Sequence, residues 1–320
     1  MSTDNFPSIA LGTWSWGHGS NGGDKVFGHH LGEKELKPVV TKAMENGLNL
    51  WDTATVYGEG TSETILGNLL KPYDRNQYFL STKFTPAMSN GLNLASDENA
   101  MIKMLEGSLD RLHTDYVDIY WIHNPTDVKK WTPQLIPLLK SGNVKYVGVS
   151  NHNLDQIKEA QQILTKEGFH ISAVQNHYSL LHRFSEKTGI LNFCRKNNMK
   201  FFSYMTLEQG ALTGKYNVKH PFPEGNNRAK NFNPILSKLN SLLKTIKEIS
   251  QKHDASVAEI STAWAINKGA LPIIGVTKPE YIKSELKASS IQLSGEEITR
   301  LEESAKQTGI DTNGFQKAMS

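Results

Sequence analysis

The strongest constraint on the fold is an alternation of short β-rich runs with amphipathic segments along the whole chain. Runs rich in strand-forming residues occur at 9–14, 48–52, 78–83, 117–123, 144–151, 171–176, 200–204 and 271–276. Strands that alternate with helices pair in parallel through right-handed crossovers. Eight such units favour a closed (β/α)8 barrel, the TIM barrel, over an open doubly wound sheet.

The helical segments carry their own signals. Between Met101 and Leu112 the apolar residues fall on one helical face, and SVAE (256–259) and SGEE (294–297) are capping boxes that begin helices. The seventh unit is about twice the usual length. It contains a polar stretch rich in Pro, Gly and Asn, followed by two helical patterns at roughly 235–252 and 256–268. We predict one barrel domain over residues 1–320, with extra helices and a long functional loop after the seventh strand.

Composition excludes several classes of protein. The chain has 320 residues, of which 38% are hydrophobic and 21% charged, as in ordinary globular proteins. Its net charge of +3 is too small to indicate a nucleic-acid partner. No apolar run is long enough to span a membrane, and the first residues lack the features of a signal peptide. We therefore expect a cytoplasmic protein without membrane partners, in which the single cysteine, Cys194, is a small core residue.

Ionisable residues close three adjacent strands. Asp52 ends the second candidate strand, Lys83 the third and His123 the fourth. In the segment WDTATVYGEG (51–60), Tyr57 lies on the glycine-containing loop that follows Asp52. Each residue taken alone has a purely structural explanation, such as a turn carboxylate, a surface lysine or a core histidine. The carboxyl ends of parallel barrel strands meet at one rim, so these side chains are expected to converge there. Their joint occurrence predicts a functional site.

The chemistry of these four side chains points to the protonation of a carbonyl oxygen. A tyrosine hydroxyl holds its proton at neutral pH and can donate it. A neighbouring ammonium stabilises the phenolate and is expected to lower the tyrosine pKa, while a carboxylate keeps that lysine charged. A histidine on the next strand can orient the carbonyl oxygen. None of the four is arranged as a nucleophile or as part of a metal cage.

One apparent nucleotide motif is rejected. GHGSNG, residues 17–22, fits the G-x-G-x-x-G pattern of dinucleotide-binding folds. The segment GDKVFGHH that follows carries no apolar helix on which a pyrophosphate can bind, so we interpret the motif as a glycine-rich loop. His29 and His30 are adjacent and face opposite ways in extended chain, which makes them a poor metal pair, and we predict no metal site.

Five segments together resemble the aldo-keto reductase family. They are WDTATVYGEGTSETILG, STKF, DIYWIHNP, GVSN and QNHYSL, in this order, and the resemblance extends from about residue 10 to residue 286. It implies a (β/α)8 barrel that reduces aldehydes or ketones with NADPH, the nicotinamide supplying hydride. Asp52, Tyr57, Lys83 and His123 match the family's four catalytic positions. Tyr57 would donate the proton, Lys83 would tune its pKa, Asp52 would anchor Lys83, and His123 would orient the substrate.

The resemblance also implies a set of cofactor-binding residues. Ser150, Asn151 and Gln175 match positions that bind the carboxamide, and all three are expected to stand at strand ends, as that role requires. Tyr204 matches the aromatic residue that stacks on the nicotinamide. The remaining positions are Thr13, Trp14, Asp52, Met205, Thr206, Leu207, Gln209, Gly210, Gly275, Val276, Thr277, Lys278, Tyr281, Ser284 and Glu285. Met205 and Thr206 replace a more usual Ser-Pro, and the last three replace Gln, Glu and Asn. Glu285 would either repel the cofactor's 2′-phosphate or accept a bond from the adenine amino group.

Two other functions and the identity of the substrate stay open at this point. Some proteins of this fold are NADPH-binding subunits of potassium channels with little turnover, and this is the main alternative. A metal-dependent hydrolase is disfavoured, because the other strand ends offer few metal ligands. The pocket wall is expected from the loops 14–28, 124–131 and 204–234 and the C-terminal tail, with Trp14, Trp16 and Trp131 as candidate apolar residues. The polar tail favours small aldehydes, ketones or dicarbonyls, and the oligomeric state cannot be predicted.

Overall fold

Eight parallel strands close into a barrel in the order of the sequence, as predicted. The structure is a computed structural model, and it describes residues 5–19, 21–86 and 99–310. The strands are β1 (Ala10–Gly12), β2 (Leu50–Asp52), β3 (Phe79–Phe84), β4 (Val117–Ile122), β5 (Val144–Ser150), β6 (Ala173–His177), β7 (Lys200–Tyr204) and β8 (Leu271–Gly275). β1 pairs with β8 through Gly12 and Gly275, and this pairing closes the barrel.

Helices surround the barrel on its outside. They are α1 (Glu33–Glu45), α2 (Thr61–Leu70), α3 (Ala100–Leu112), α4 (Val128–Trp131), α5 (Leu135–Ser141), α6 (Leu154–Thr165), α7 (Phe184–Lys187), α8 (Ile190–Lys196), α9 (Asn227–Phe232), α10 (Leu236–Lys252), α11 (Val257–Asn267), α12 (Pro279–Ser290) and α13 (Gly295–Gln307). The two predicted capping boxes are present, since Ser256 and Ser294 accept backbone hydrogen bonds at the starts of α11 and α13. The long segment after β7 contains the two predicted helices, α10 and α11.

Apolar side chains fill the lower part of the barrel interior and leave the upper part to polar groups. Ala10, Leu50, Ile119, Trp121 and Phe202 form a buried cluster inside the barrel. Below them the Phe6 ring packs edge-on against Phe79, Tyr146 and Phe202 and closes the amino end of the barrel. A larger apolar layer lies between the sheet and the helices and includes Cys194, whose thiol pKa burial raises to about 12. The polar residues at the carboxyl end of the barrel therefore lie above a packed apolar layer.

Within the described ranges, no helix is both long and apolar enough to cross a bilayer. The rejected glycine motif leads into a five-residue helical turn at Gly23–Phe27 rather than into an amphipathic helix. Its Gly17 and Gly19 have positive φ angles. A side chain at either position would meet the chain around Gly58 and Thr61, so the glycines serve this close packing of two loops.

Candidate active site

A cavity of about 1300 Å³ opens at the carboxyl end of the barrel. Its wall contains nearly all of the residues that the sequence assigned to the site. They are Trp14, Asp52, Tyr57, His123, Ser150, Asn151, Gln175, Tyr204, Met205, Thr206, Leu207, Gln209, Gly210, Gly275, Thr277, Lys278, Tyr281, Ser284 and Glu285. The remaining three, Thr13, Lys83 and Val276, are fully buried directly behind the wall. The structure thus brings the predicted residues together.

Asp52, Lys83 and Tyr57 form a connected polar chain at one side of the cavity. The Lys83 ammonium donates to Asp52 Oδ2 at 2.6 Å, to the Thr53 carbonyl at 2.7 Å and to the Tyr57 hydroxyl at 3.3 Å. Lys83 is 0% exposed and Asp52 2%, whereas Tyr57 is partly exposed to the cavity. A buried ammonium needs such a full set of acceptors to stay charged. The arrangement presents a phenol supported from behind by a cation.

Asp52 is held by more than its lysine. Its Oδ1 atom accepts from Ser81 Oγ at 2.6 Å and from Gln175 Nε2 at 3.1 Å. Ser81 is the residue that pairs with Asp52 across β2 and β3, so the parallel register itself brings this donor to the carboxylate. Because Asp52 accepts three side-chain hydrogen bonds, its position is fixed before any ligand binds.

The pKa shifts of Lys83 and Tyr57 show that both side chains hold their protons at neutral pH. Burial lowers the pKa of Lys83, but the Asp52 carboxylate and the Tyr57 hydroxyl together raise it by more than burial lowers it. The pKa therefore lies above the ordinary value, and the side chain is an ammonium. Burial raises the pKa of Tyr57, and Lys83 opposes this effect. The net pKa of Tyr57 is raised, so the sequence-based expectation of a lowered value is wrong in its net direction. Burial outweighs the cation, and Tyr57 holds its proton firmly at neutral pH.

His123 stands beside the phenol as a neutral imidazole. It directly follows β4, and its ring lies 6.1 Å from the Tyr57 ring, edge to face. Its Nδ1 atom is 2.9 Å from Thr85 Oγ1, which leaves Nε2 for the cavity. Burial, assisted by the nearby Lys83 charge, lowers the pKa of His123 to about 3. The ring therefore acts as a hydrogen-bonding group and not as an acid at neutral pH.

Two of the predicted carboxamide-binding residues, Gln175 and Asn151, are hydrogen-bonded to Asp52 and His123. Ser150 ends β5 and Asn151 follows it, whereas Gln175 lies within β6, two residues before its end, so the prediction that it stands at a strand end is wrong. The strand continues to His177, and Gln175 points into the barrel, where it donates to Asp52. The Asn151 amide donates to the His123 carbonyl at 2.9 Å and accepts from the Tyr204 hydroxyl at 2.5 Å.

The backbone between Met205 and Gly210 has an unusual conformation. Met205, Glu208, Gln209 and Gly210 all have positive φ angles, between 47° and 109°. For a residue with a side chain, this left-handed conformation costs roughly 1–2 kcal/mol. Backbone hydrogen bonds from Glu208 to Met205 (2.8 Å) and from Gly210 to Leu207 (2.9 Å) stabilise the tight turns. The result is a curved segment that lines the cavity with backbone as well as side chains.

Sequence reasoning missed the side chain that anchors this segment. Glu208 is 0% exposed, and its Oε1 accepts from Ser179 Oγ and lies 2.7 Å from His177 Nε2. The His177 ring stacks on His182 at 4.0 Å and on Tyr204 at 5.6 Å. The available signal was an acid in the segment after the seventh strand and two histidines at and just beyond the end of the sixth, which need partners wherever they are buried.

The far end of the cavity combines a helix start with charged side chains. Lys278 is the N-cap residue of α12 and is exposed at the rim, and Thr277 precedes it. Two further cations line the cavity that the sequence did not indicate, Lys215 and Arg228. Arg228 donates from Nη2 to the Phe27 carbonyl at 2.9 Å, and its buried Nε has no hydrogen-bond partner. Lys278 and the start of α12 make this end of the cavity suit an anion, and Arg228 adds a positive charge beside Phe27.

Glu285 lies at the same end but does not carry the charge that the sequence suggested. It is 4% exposed and lines the cavity from the inner face of α12. Burial and the neighbouring Glu259 carboxylate raise the pKa of Glu285 to about 8. At neutral pH most of this side chain is therefore a neutral acid, so a general repulsion of phosphate is not expected.

One of the three candidate tryptophans forms the apolar wall. Trp14 lines the cavity and packs between Phe27 (ring centroids 5.1 Å apart) and Tyr57 (6.0 Å). Trp16 is buried against Trp51 and donates to the Val276 carbonyl at 2.7 Å, and Trp131 is buried against Phe84. The last two are packing residues. Most of the predicted C-terminal tail lies outside the described residues.

In the described ranges, no three His, Cys, Asp or Glu side chains are grouped closely enough to hold a metal ion. The site is therefore built around an acid–base group, an imidazole and an anion-binding end, all on the carboxyl side of one barrel. This arrangement can donate a proton to a bound carbonyl oxygen while a phosphate-bearing molecule lies along the cavity.

Comparisons with known proteins agree with this geometry. The model of the aldo/keto reductase family matches residues 8–306. Pyridoxal reductase of Arabidopsis thaliana is 30% identical, with 94% of this chain and 83% of that protein covered. The aldo-keto reductase yakc [NADP(+)] of Schizosaccharomyces pombe is 29% identical over 85% of this chain and 82% of that protein. The solved glycerol dehydrogenase of Gluconobacter oxydans superposes with a TM-score of 0.79 at 26% identity and covers 96% of this chain and 94% of its own. The chain belongs to the aldo/keto reductase family of oxidoreductases.

Proposed function

We propose that this protein is a cytoplasmic, single-domain reductase that converts aldehydes or ketones to alcohols with NADPH, using Tyr57 as the proton donor. The observation that carries the proposal is the contact of the Tyr57 hydroxyl with the Lys83 ammonium, 3.3 Å away, at the wall of the large cavity. A cation held behind a phenol stabilises the phenolate that remains when the proton leaves. The family membership gives independent support for carbonyl reduction.

Each catalytic side chain has a separate task in this proposal. Tyr57 donates its proton to the carbonyl oxygen, and Lys83 stabilises the developing tyrosinate. Asp52 keeps Lys83 charged and in position through the 2.6 Å ion pair. The neutral His123 donates a hydrogen bond from Nε2 to the same carbonyl oxygen and so orients the substrate, because its Nδ1 is engaged by Thr85.

The residues of the cavity fit NADPH. A volume of about 1300 Å³ accommodates a dinucleotide together with a small substrate. Three cations, Lys215, Arg228 and Lys278, line it, and the unpartnered Arg228 Nε offers a buried donor. Ser150, Asn151 and Gln175 would hold the carboxamide and Tyr204 the nicotinamide ring. When bound, the reduced nicotinamide supplies the hydride for the carbonyl carbon. The name of the yeast relative, which specifies NADP(+), supports this choice.

The adenosine end would be held by the start of α12. Lys278 and the Thr277 hydroxyl would bind the 2′-phosphate, and the partial positive charge of the helix start adds to the attraction. The curved segment from Met205 to Gly210 would contact the pyrophosphate with its backbone.

The substrate end favours compact carbonyl compounds with an apolar body. Its wall is formed by Trp14, Phe27, Val56 and Tyr57, with polar groups at Asn124 and Thr126. Aromatic rings on one side and a pair of hydrogen-bonding groups at the reacting end suit small aldehydes, ketones or dicarbonyls.

A substrate panel tests the proposal. Purified protein is mixed with NADPH and with aliphatic aldehydes, aromatic aldehydes, ketones and dicarbonyls, and oxidation of the cofactor is followed by its fluorescence. NADPH binding is measured in parallel without substrate. We expect micromolar or tighter binding and turnover with at least one of the four classes. Lack of NADPH binding would overturn the proposal. Tight binding without turnover on any class would instead support the NADPH-binding, channel-subunit-like alternative.

A further inference from the structure

A buried carboxyl group lies at the adenosine end of the cavity with part of its hydrogen-bonding capacity unused. Glu285 is 4% exposed and lines the cavity together with Tyr281 and Ser284 of the same helix. Its Oε2 atom is buried and has no hydrogen-bond partner. A buried oxygen of this kind is costly unless a ligand or a proton satisfies it. The inference below rests on the proposed function, in which the adenosine of NADPH binds beside α12.

The surroundings of Glu285 disfavour its ionised form. From α11, Glu259 faces it as a carboxylate that already accepts hydrogen bonds from Ser284 Oγ at 2.7 Å and from the Ser256 amide at 2.9 Å. Thr262, also on α11, is a neutral neighbour that lowers the pKa of Glu285 and so opposes the effect of Glu259. A second negative charge beside Glu259 would be repelled in a site of low polarity. Because Glu285 is the buried member of the pair with an unpartnered oxygen, its ionised form is the one that is disfavoured.

No cation of the described helices around it offsets this repulsion. On α12, Lys278 lies about two helical turns away, on the order of 10 Å along the axis. Lys283 is exposed, and Lys287 pairs with Asp254 at 3.4 Å. The charged residues of α1 next to α12 line a separate outer groove with Pro279, namely Lys34, Lys37, Lys42 and Glu45. Burial and Glu259 thus decide the protonation state, and they raise the pKa of Glu285 to about 8.

A protonated carboxyl group presents the same pattern of hydrogen-bonding groups as a side-chain amide. It has one O–H donor and one carbonyl acceptor side by side. The outer edge of adenine presents the complementary pair, an amino donor at N6 and an acceptor at N7, which amide side chains bind with two hydrogen bonds. The ionised carboxylate has lost the donor, so N7 would face a negative oxygen. It would also repel the phosphates of the cofactor.

We propose that Glu285 binds the adenine edge of the cofactor as a neutral carboxylic acid, so that cofactor binding is coupled to the protonation of this side chain. Below the titration range the acid is already neutral, and binding needs no proton from the solvent. Within and above that range each binding event takes up a proton at Glu285. Affinity then falls by up to tenfold for each pH unit, because binding must first reprotonate the group.

The experiment compares the wild-type protein with Glu285→Gln across a pH series. Dissociation constants for NADPH are measured from pH 6.5 to pH 9.5 by the quenching of protein fluorescence. Titration calorimetry near pH 8.5, in two buffers of different ionisation enthalpy, counts the protons taken up. The glutamine retains a hydrogen-bond donor and an acceptor but does not titrate. The variant therefore still shows every other pH effect on binding, including those of the 2′-phosphate and of Lys278, and serves as the control for them.

The expected result is specific to the wild-type protein. Its affinity for NADPH should fall above about pH 8 relative to the variant, by up to roughly thirtyfold at pH 9.5. It should also take up close to one more proton per cofactor than the variant does near pH 8.5. Circular dichroism checks that Glu285→Gln is folded. If the variant does not fold, the proton count of the wild-type protein still decides the matter, because no uptake above pH 8 contradicts the proposal.

Failure of this inference is distinguishable from failure of the proposed function. Binding of NADPH with the same pH dependence in both proteins overturns the role of Glu285 and leaves the reductase proposal intact. An affinity of the wild-type protein that rises with pH relative to the variant also overturns it, because the ionised carboxylate would then be the better partner. Absence of NADPH binding by both proteins at every pH contradicts the proposed function itself.

Discussion

The two ends of the cavity contain buried carboxyl groups with opposite environments. At the catalytic end, Asp52 pairs with Lys83 at 2.6 Å and accepts further bonds from Ser81 and Gln175. At the adenosine end, Glu285 faces another carboxylate, and one of its oxygens has no partner. The partners of Asp52 stabilise a negative charge, whereas at Glu285 burial and Glu259 outweigh the opposing contact with Thr262 and favour the neutral acid. In the function that we propose, one cavity thus holds a preassembled proton-donating group and a recognition group whose charge depends on pH.

This difference shows what the barrel supplies directly. Asp52, Lys83 and His123 lie at the ends of adjacent strands, so the register of the sheet brings them together. The adenosine end is built by the segments after β7 and β8, where left-handed backbone and long side chains determine the shape. The position of the catalytic end is therefore set by the sheet, whereas the adenosine end depends on contacts between loops and helices.

The largest expected effect is on the stability of the catalytic end. Asp52→Ala leaves the Lys83 ammonium buried without its counter-ion, and we expect the free energy of unfolding to fall by about 3–5 kcal/mol. Urea unfolding at neutral pH measures it. Asp118→Ala is the matched control. Asp118 is as buried as Asp52 and pairs with Arg75, with 2.6 Å between the charged atoms, but it does not line the cavity. It should destabilise the protein without abolishing turnover of the folded fraction. Unchanged stability in Asp52→Ala would contradict the pairing.

Replacing the buried carboxyl group at the adenosine end, Glu285, should instead raise the free energy of unfolding. The pKa of Glu285 is about 8 in the folded protein and near its ordinary value of 4.5 in the unfolded chain. Its contribution to stability is thus complete below pH 4.5 and is lost as the pH rises to about 8. As the pH rises from 5 to 8.5, the free energy of unfolding of Glu285→Gln should increase by roughly 2–4 kcal/mol relative to that of the wild type, measured without cofactor. A difference that does not vary with pH would show that Glu285 is not the neutral acid described.

The segment between the two ends depends on one anchor. Glu208→Ala removes the partner of His177 and Ser179, so the left-handed turns at Met205 and Gln209 lose support. We expect NADPH affinity to fall on the order of tenfold or more, the worth of one charge-assisted hydrogen bond. Glu208→Gln, which retains hydrogen-bonding groups, should lose less. The maximal rate at saturating cofactor should change little. Equal affinities for both variants and the wild type would refute the anchoring role.

The smallest effect is expected at the rim. Lys278 is exposed, so its attraction for the 2′-phosphate is screened by solvent. Lys278→Ala should weaken NADPH binding about three- to tenfold and leave NADH binding unchanged. Lys283→Ala, an exposed lysine of the same helix that does not line the cavity, serves as the control. Dissociation constants for both cofactors measure the preference, and an unchanged ratio in Lys278→Ala would argue against the assignment.

The sequence predicted the barrel and the catalytic end better than the rest of the cavity. Short strands alternating with helices determine the topology, and Asp52, Lys83 and His123 were visible because charged residues rarely close buried strands. The raised pKa of Tyr57 was not predictable, because it depends on the balance between burial and a cation at 3.3 Å. Glu208 and Arg228 were missed for a related reason. Their roles arise from contacts with residues distant in the sequence, His177 and Phe27.

The central claim is that Tyr57 donates the proton from a group assembled by Lys83 and Asp52. The most direct test is the rate of carbonyl reduction by Tyr57→Phe at saturating NADPH, with NADPH affinity measured in the same samples. Tyr146→Phe, which removes a phenol at the opposite end of the barrel, is the control. We predict a loss of roughly a hundredfold or more in kcat for Tyr57→Phe, with the affinity for NADPH and the rate of the control variant nearly unchanged. A near-normal rate in Tyr57→Phe would contradict the account.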